Sequence, residues 1–258
     1  MQYDAIILAG GQSSGELKKI APYDNEALII IGNYPMIYYV YKALRGSSHI
    51  NRIVISGPVE SLQSIFIREE NLYLVGGGEN AVDSFAHGVD LLKDMGISER
   101  LLILPSDIPF ITTEAIDDFI ARAEEIEADF VYPLTSKEVN EMKYPGVKRT
   151  YARLKDGIFT GGNLFVISSD IIERGMNMAR KLVERRKNPL ALARIFGPVL
   201  VWKFITRRLT IKAAEKRFYD IIGIKGKAVI SPFAEVGVDV DKPSDLELAN
   251  CYLTDVRF

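Results

Sequence analysis

Runs of consecutive apolar residues along the chain alternate with stretches in which apolar residues recur at helical spacing. Unbroken apolar runs are typical of strands that are buried on both faces of a parallel sheet. They predict strands at 5–9, 52–56, 72–75, 101–104, 129–133, 150–154, 161–167 and 228–231. Helical spacing predicts helices after Pro35, after Gly78 and over 113–126, helical segments over 169–222, and a last helix from Lys242 and Pro243. This order predicts an α/β domain.

Length and composition agree with one large α/β domain over 1–258. Apolar residues make up 48% of the chain and charged residues 26%, which is ordinary for a globular protein. The single cysteine, Cys251, excludes an intrachain disulfide and suits a reducing compartment. Neither a signal peptide nor an apolar run long enough to cross a bilayer is recognisable, so we expect a cytoplasmic protein.

Charge is distributed unevenly. Residues 180–227 contain 14 Lys and Arg but 3 Asp and Glu, a net charge of +11, and the remaining chain carries −13. We interpret 170–227 as a helical insertion in the domain. Its basic surface has several readings: a solvated helix face, a dimer interface, or a peripheral contact with an anionic membrane through 180–227. Nucleic acid is not expected as a partner, because the segment lacks interleaved exposed aromatic residues.

The first strand ends in a glycine-rich turn that begins at Gly10 and Gly11. Glycines at this position leave backbone N–H groups accessible to a phosphate or to a base edge. The turn differs from a Walker A loop, since Glu16 and Leu17 stand where Lys and Ser or Thr are required, and it contains no dinucleotide-binding fingerprint. We expect residues 16–25 to form an irregular loop over this turn.

Three further strings place polar residues where predicted strands end. Gly76 to Gly78 lead into a helix that contains Ser84, and Ser106 and Asp107 follow the strongly apolar run 101–104. In open α/β folds this carboxyl edge of the sheet binds ligands. Near the C-terminus, alternation over 236–241 places Asp239 and Asp241 on one side of an extended segment.

These strings together resemble the MobA-like nucleotidyltransferases, which include molybdenum-cofactor guanylyltransferase, methylerythritol-phosphate cytidylyltransferase and the sugar-1-phosphate nucleotidyltransferases. Leu8 to Gly11 and Ser13 match the family's LAGGxSxRMGxxK opening, S-D-I-P-F its D-x-P element, and V-D-V-D-K-P-S-D-L its closing motif. The resemblance extends from residue 5 to residue 249. It implies a three-layer α/β/α, Rossmann-like (GT-A-like) fold with a mostly parallel mixed sheet.

The resemblance also implies roles for individual residues. The expected nucleotide-binding residues are Leu8, Ala9, Gly10, Gly11, Gln12, Ser13, Gly77, Gly78, Ser84 and Ser106. The expected Mg²⁺ ligands are Asp107 with Asp239 or Asp241. The expected acceptor-binding residues are Lys148, Arg149, Gly161, Gly162 and Asn163. A purely structural reading stays open for each group: glycines that only permit close turns, Asp107 as a pre-proline residue, and Asp241 as a helix-entry residue.

The opening departs from the family pattern at its cations. The family's arginine falls on Gly15 or Glu16 and its lysine on Glu26. We predict that Lys18 or Lys19 replaces these cations, with Lys148, Arg149 and Arg153 as alternatives. The implied activity is Mg²⁺-dependent transfer of NMP from an NTP to an anionic, phosphorylated small molecule, with release of pyrophosphate. The alternative is a catalytically silent nucleotide-binding or regulatory module. A glycosyltransferase is less favoured, because its D-x-D motif would lie at the very C-terminus.

Overall fold

The computed structural model describes residues 1–13, 15–147, 149–185 and 195–258. Its strands are β1 (Tyr3–Leu8), β2 (Ile30–Ile31), β3 (Tyr34–Pro35), β4 (Ile50–Gly57), β5 (Leu72–Gly76), β6 (Arg100–Pro105), β7 (Phe130–Ser136), β8 (Ala152–Leu154), β9 (Gly157–Gly161), β10 (Phe165–Ser168) and β11 (Gly226–Ser231). Its α-helices are α1 (Gly15–Ile20), α2 (Met36–Gly46), α3 (Val59–Ile65), α4 (Ala81–Asp94), α5 (Thr113–Glu124), α6 (Lys137–Lys143), α7 (Ile172–Arg185), α8 (Pro198–Ile205), α9 (Ile211–Ile222) and α10 (Pro243–Leu253).

Nine of the described strands form one mixed sheet, and β2 and β3 form a separate hairpin. One half of the large sheet is parallel, in the order β5-β4-β1-β6. In the other half, β10 runs antiparallel to β6 and β7, β9 runs antiparallel to β7, and β11 runs parallel to β7. The parallel half places the ends of β1, β4, β5 and β6 on the same edge of the sheet.

Strand β1 shows how the layers are built. Ala5 and Ile7 belong to a core cluster shared with α2, α3 and α5, whereas Ile6 belongs to a second cluster shared with α4 and α7. Because successive side chains of a strand point to opposite faces, an unbroken apolar run is buried on both sides. The result is the three-layer α/β/α arrangement that the sequence predicts, with both faces covered by helices.

Two local predictions are wrong, and a third is correct in part. Residues 16–25 do not form only an irregular loop, because helix α1 starts at Gly15. The predicted strand 161–167 is divided into β9 and β10 by a turn at 162–164. The predicted extended segment 236–241 begins in a 3₁₀ turn (Ala234–Gly237) and joins no strand. Its backbone hydrogen-bonds to loop residues: the Val236 carbonyl accepts from the N–H of Asn163, and the N–H of Val240 donates to the Asp107 carbonyl. Asp239 and Asp241 do lie on one side, as predicted, because their carboxylates come together.

The described part of 169–222 is helical, as predicted, over α7, α8 and α9, and β11 follows from Gly226. Helix α8 exposes several large apolar side chains, which are Val199, Trp202, Phe204 and Ile205. Among the described residues, no helix combines the length and the apolar character needed to cross a membrane.

A buried ion pair fastens the end of the sheet opposite the glycine turn. The Asp4 carboxylate is fully buried and accepts from Arg52 Nε and Nη2 at 2.8 and 2.7 Å. It also accepts from the backbone N–H of Ser98 at 2.8 Å. This bidentate geometry joins β1, β4 and the segment before β6, so loss of the carboxylate charge would leave the Arg52 guanidinium uncompensated.

Asp4→Asn is therefore expected to lower the free energy of unfolding by about 3–5 kcal/mol. Urea-induced unfolding measures this loss. An unchanged slope of the unfolding free energy against urea concentration would show that both proteins expose the same surface on unfolding. Asp118→Asn is the control, because the Asp118–Arg122 pair is a solvent-accessible pair on α5 and should cost under about 1 kcal/mol. Equal losses for the two variants would contradict the role of Asp4.

Candidate nucleotide and metal site

Glycines from three neighbouring strands meet at the carboxyl edge of the sheet. Gly10 follows β1, Gly57 ends β4, and Gly77 follows β5. The backbone N–H of Gly77 donates to the Gly57 carbonyl at 3.2 Å, and a Cβ built on Gly77 would lie 3.6 Å from the Gly10 Cα. Because no side chain separates these segments, their backbone groups line a common floor.

Ser84 joins the two glycine loops. Its side chain is buried in α4, and its Oγ accepts from the backbone N–H of Gly78 at 3.0 Å. A Cβ on Gly10 would approach the same oxygen to 3.1 Å. In this structure Ser84 therefore fixes the relative position of the loops from beneath, whereas the sequence assigned it to nucleotide contact.

Asn25 is a residue of the site that the sequence did not single out. Its Nδ2 donates to the Ala9 carbonyl at 2.8 Å, and its Oδ1 accepts from the N–H of Ala27 at 2.9 Å. The backbone of Ser13 donates to the Asp24 carbonyl at 3.0 Å. These bonds hold the segment after α1 against the glycine turn. The contact gives no signal in the sequence, because Asn25 and Ala9 are 16 residues apart.

A polar cavity of about 470 Å³ lies over these loops. Its lining residues are Gly10, Gln12, Ser13, Lys18, Asp24, Asn25, Gly57, Pro58, Gly77 and Gly78. Of the residues expected to bind the nucleotide, Gly10, Gln12, Ser13, Gly77 and Gly78 are thus brought together. The others, Leu8, Ala9, Gly11, Ser84 and Ser106, do not line the cavity and lie around or beneath it.

Three carboxylates converge beside this cavity. Asp107, Asp239 and Asp241 can each offer one oxygen such that all three lie within 4.8 Å of one another. A backbone hydrogen bond of 2.8 Å, from Val240 N–H to the Asp107 carbonyl, joins the two segments that carry them. Oxygens of carboxylates at such separations suit Mg²⁺, which prefers a few carboxylate ligands together with water and phosphate oxygens.

Burial and repulsion from other carboxylates both act on the carboxyl group of Asp107. Burial, followed by repulsion from Asp241 and Glu26, raises its pKa from 3.8 to about 7. Its Oδ1 is buried and accepts no hydrogen bond from the described residues. A buried carboxylate oxygen that neither accepts a hydrogen bond nor contacts a cation destabilises the folded protein. The carboxylate oxygens of this cluster therefore fit a bound divalent cation.

Arg149 supplies positive charge to the same cluster. Its guanidinium pairs with the Asp239 carboxylate through Nη1 and donates from Nη2 to the Asp239 carbonyl at 3.1 Å. Burial lowers the pKa of Arg149, and the neighbouring carboxylates Asp245 and Asp241 oppose that shift. The sequence assigned Arg149 to the acceptor. In this structure the side chain contacts one of the expected metal ligands, and its role toward the acceptor stays a prediction.

The turn at 161–163 is packed against the segment that carries Asp239. The backbone N–H of Gly162 donates to the Pro133 carbonyl at 2.8 Å, and that of Asn163 to the Val236 carbonyl at 2.7 Å. A Cβ on Gly162 would lie 2.6 Å from Pro133 Cγ, so this glycine permits a close approach. Asn163 Nδ2 is buried with no acceptor among the described residues, so both of its N–H groups lack a partner there.

The basic residues that were expected to bind phosphates lie at different places relative to the polar cavity. Lys18 lines the polar cavity and pairs with Asp24 at 2.5 Å, which lowers the Asp24 pKa. Lys19 is exposed and does not line the cavity. Lys148 lies outside the described residues. Glu26, at the position of the family's lysine, directs its carboxylate toward Gly11, where a Cβ would lie 3.1 Å from Oε2.

The family model for the MobA-like NTP transferase domain matches residues 5–199. The chain belongs to the MobA-like NTP transferase family. The match covers the glycine turn, Ser84 and Asp107, whereas Asp239 and Asp241 lie beyond its end. Membership agrees with the nucleotidyltransferase fold predicted from the motifs.

Individual relatives carry the same fold. A solved hypothetical transferase from Thermus thermophilus superposes with a TM-score of 0.82 at 32% identity, covering 95% of this chain and 100% of that one. The 4-diphosphocytidyl-2C-methyl-D-erythritol synthase of Anaerococcus prevotii superposes with a TM-score of 0.62 at 16% identity, covering 98% of each chain, which shows the fold alone.

The chain is also similar in sequence to a curated protein, the 2-C-methyl-D-erythritol 4-phosphate cytidylyltransferase of Bifidobacterium longum (strain DJO10A). It is 26% identical over 132 residues, which are 48% of this chain and 44% of that protein. The matched stretch thus spans less than half of the relative's length.

Lys18→Ala is expected to weaken binding of a nucleoside triphosphate at least about tenfold, while binding of the monophosphate changes little, because a cation at the cavity rim acts on the terminal phosphates. Calorimetric titration of both nucleotides measures this difference. Lys19→Ala is the matched control, since the neighbouring lysine does not line the cavity. Equal losses for the two nucleotides, or for the two variants, would refute the role of Lys18.

The raised pKa of Asp107 predicts a pH dependence. Without a divalent ion, the folded chain retains a proton on Asp107 up to pH about 7 that the unfolded chain releases near 3.8. The free energy of unfolding should therefore decrease as pH rises between these values, and Asp107→Asn should remove that part of the slope. Mg²⁺ must displace the proton, so its affinity should increase up to about tenfold per pH unit below pH about 7.

Unfolding curves and Mg²⁺ titrations across this pH range test both statements, with Asp118→Asn as a surface control. An unchanged slope in Asp107→Asn would contradict the shifted pKa. An unchanged Mg²⁺ affinity in that variant would contradict its assignment as a ligand.

Proposed function

We propose that the protein is a Mg²⁺-dependent nucleotidyltransferase, which transfers a nucleoside monophosphate from an NTP to a phosphorylated small-molecule acceptor and releases pyrophosphate. The observation that carries this proposal is the convergence of Asp107, Asp239 and Asp241 beside the glycine-lined cavity. Family membership supports the class of reaction. The identity of the nucleotide and of the acceptor would follow from the experiment below.

The nucleotide would lie in the polar cavity over the loops at Gly10 and Gly77. Backbone N–H groups there can bind a base edge or phosphate oxygens without obstruction by a Cβ. Asn25 and Ser84 keep the two loops in register from either side, so the cavity is formed before the nucleotide arrives. Such preorganisation reduces the loss of entropy when the reactants are aligned.

In the reaction, an oxygen of the acceptor phosphate forms a bond to the α-phosphorus of the NTP. The bond from the α-phosphorus to the oxygen that bridges to the β-phosphate breaks, and its electron pair leaves with pyrophosphate. The residues that would hold Mg²⁺ are Asp107, Asp239 and Asp241, and a bound Mg²⁺ would supply charge neutralisation on the phosphates. Asn163 Nδ2 is buried without an acceptor among the described residues, and it would donate to the acceptor after its side chain turns outward.

Cationic side chains must also stabilise charge on the departing pyrophosphate. Lys18 lies at the cavity rim, where it can exchange its solvent-exposed Asp24 partner for a phosphate. Arg149 stands beside Asp239 and can turn to a phosphate once the carboxylates are neutralised. Lys18 and Arg149 would supply the positive charge that Glu26 cannot supply, because a carboxylate repels the phosphates.

The experiment is a pyrophosphate-release assay with each of the four NTPs, Mg²⁺, and a panel of phosphorylated acceptors that starts with CTP and 2-C-methyl-D-erythritol 4-phosphate. Release is expected to require one NTP and one acceptor together, and Asp107→Asn should lower its rate at least about 100-fold. The silent-module alternative predicts that a nucleotide raises the melting temperature while no acceptor gives any pyrophosphate. That outcome would overturn the proposal.

A further inference from the structure

Arg149 lies on a connecting segment and not on a strand or a helix. The segment follows α6, which ends at Lys143, and precedes β8, which begins at Ala152. The Arg149 side chain is nevertheless largely enclosed, since 13% of it is exposed, and the Asp239 side chain that pairs with it is 20% exposed. Connecting segments open more readily than strands and helices, so Arg149 can change its partner without a change in the sheet.

The Arg149 guanidinium retains a donor that Asp239 does not use. Nη1 pairs with the Asp239 carboxylate and Nη2 donates to the Asp239 carbonyl, whereas Nε is buried and donates to no acceptor among the described residues. The Nε and one Nη of an arginine form a planar fork that binds two oxygens of a phosphate or a carboxylate. Arg149 therefore has an unused part of an anion-binding fork even while it pairs with Asp239.

Arg149 lies outside the polar cavity that is proposed for the nucleotide. Lys18 lines that cavity, whereas Arg149 does not. The segment that carries Asp239 instead packs on Asn163, whose backbone N–H donates to the Val236 carbonyl at 2.7 Å. The Asn163 side chain contributes a second buried donor, Nδ2, that has no acceptor among the described residues. Two such donors beside one segment, away from the nucleotide cavity, indicate a place for an anionic group.

Arg149 and a divalent cation compete for the same carboxylates. Asp239 belongs to the group of three whose oxygens lie within 4.8 Å of one another, and it is also the partner of Arg149. The charges of Asp241 and Asp107 attract Arg149 as well. A cation bound to these carboxylates neutralises the charge that holds the guanidinium. A buried guanidinium that loses its partner destabilises the site unless another anion replaces the carboxylate.

We propose that Arg149 exchanges Asp239 for the phosphate of the acceptor, so that the acceptor binds tightly only after a divalent cation has bound. The inference rests on the proposed function for the identity of this anion, whereas the exchange itself requires no catalysis. Before the exchange, the Arg149–Asp239 pair competes with the phosphate. After it, Nε and one Nη of Arg149 bind two phosphate oxygens. The NTP with its cation therefore precedes the acceptor, which prevents an unproductive complex of the acceptor alone.

Calorimetric titration of the full chain with inorganic phosphate, with and without Mg²⁺ and without any NTP, tests the exchange. Saturating Mg²⁺ is expected to increase the phosphate affinity at least about fivefold, which is the lower end of typical couplings between two sites. The gain arises because the cation removes the competition between Asp239 and the phosphate for Arg149. Equal phosphate affinities with and without Mg²⁺ would overturn the proposal.

Arg149→Gln distinguishes the exchange from a direct bond between Mg²⁺ and phosphate. This variant should lose the Mg²⁺-dependent gain in phosphate affinity and should bind Mg²⁺ more tightly, since no internal cation competes for the carboxylates. Arg153→Gln is the control, because it removes the same charge from an exposed position of β8 and should change neither affinity. A full gain in Arg149→Gln would contradict the exchange, and so would a loss of both affinities, which a merely structural role predicts.

Asp239→Asn is the reverse test, and it decides if Arg149→Gln does not fold. Loss of the Asp239 charge weakens the pair without any cation, so phosphate should bind at least about fivefold more tightly than to the unmodified chain in the absence of Mg²⁺. Asp241→Asn is matched to it, because it removes one negative charge from the same cluster and leaves the Arg149–Asp239 pair in place. Equal phosphate affinities of the two variants without Mg²⁺ would refute the exchange.

The binding experiments and the pyrophosphate-release assay can fail separately. A Mg²⁺-dependent gain in phosphate affinity that requires Arg149, in a chain that releases no pyrophosphate with any NTP and acceptor, would refute the proposed function and support the exchange. Pyrophosphate release by a chain in which Mg²⁺ leaves the phosphate affinity unchanged would support the proposed function and refute the exchange.

Discussion

Repulsion among the carboxylates at the end of β6 is the constraint on which the site depends. Asp107, Asp239 and Asp241 are held together by the fold, through the backbone bond from Val240 to Asp107, although their charges repel. Glu26 adds to the repulsion and raises the pKa of Asp107 further. Arg149 offsets part of it from the Asp239 side. Such a cluster is suited to a divalent cation, which would replace the proton that Asp107 otherwise retains and relieve the repulsion without moving the backbone.

The parts of this arrangement that depend on local pattern were predictable from the sequence. Buried strands are recognisable as unbroken apolar runs, and polar residues that follow such runs lie at the edge where Asp107 is found. The alternation over 236–241 correctly placed Asp239 and Asp241 on one side. The partners of that segment were not predictable, since its backbone hydrogen bonds are made with Asn163 and Asp107 in distant loops. Asn25 and the Arg149–Asp239 pair were missed for the same reason: their roles are long-range contacts that leave no periodic signal.

The polar cavity presents backbone N–H groups and Lys18 to a charged nucleotide. Glu26 stands where the family has a lysine, and its carboxylate points toward the glycine turn at Gly11. The proposed reaction therefore relies on Lys18 at the cavity rim and on Arg149 beside Asp239 for positive charge on the phosphates.

The central claim is that the three aspartates bind a catalytic divalent cation that displaces Arg149 from Asp239. Anomalous X-ray diffraction from crystals of the protein with Mn²⁺ and a non-hydrolysable NTP analogue tests it most directly. The account predicts one anomalous peak within coordination distance of Asp107 and of Asp239 or Asp241, with the Arg149 guanidinium moved toward a phosphate. A nucleotide bound in the polar cavity with no Mn²⁺ at these carboxylates, and with the Arg149–Asp239 pair intact, would contradict it.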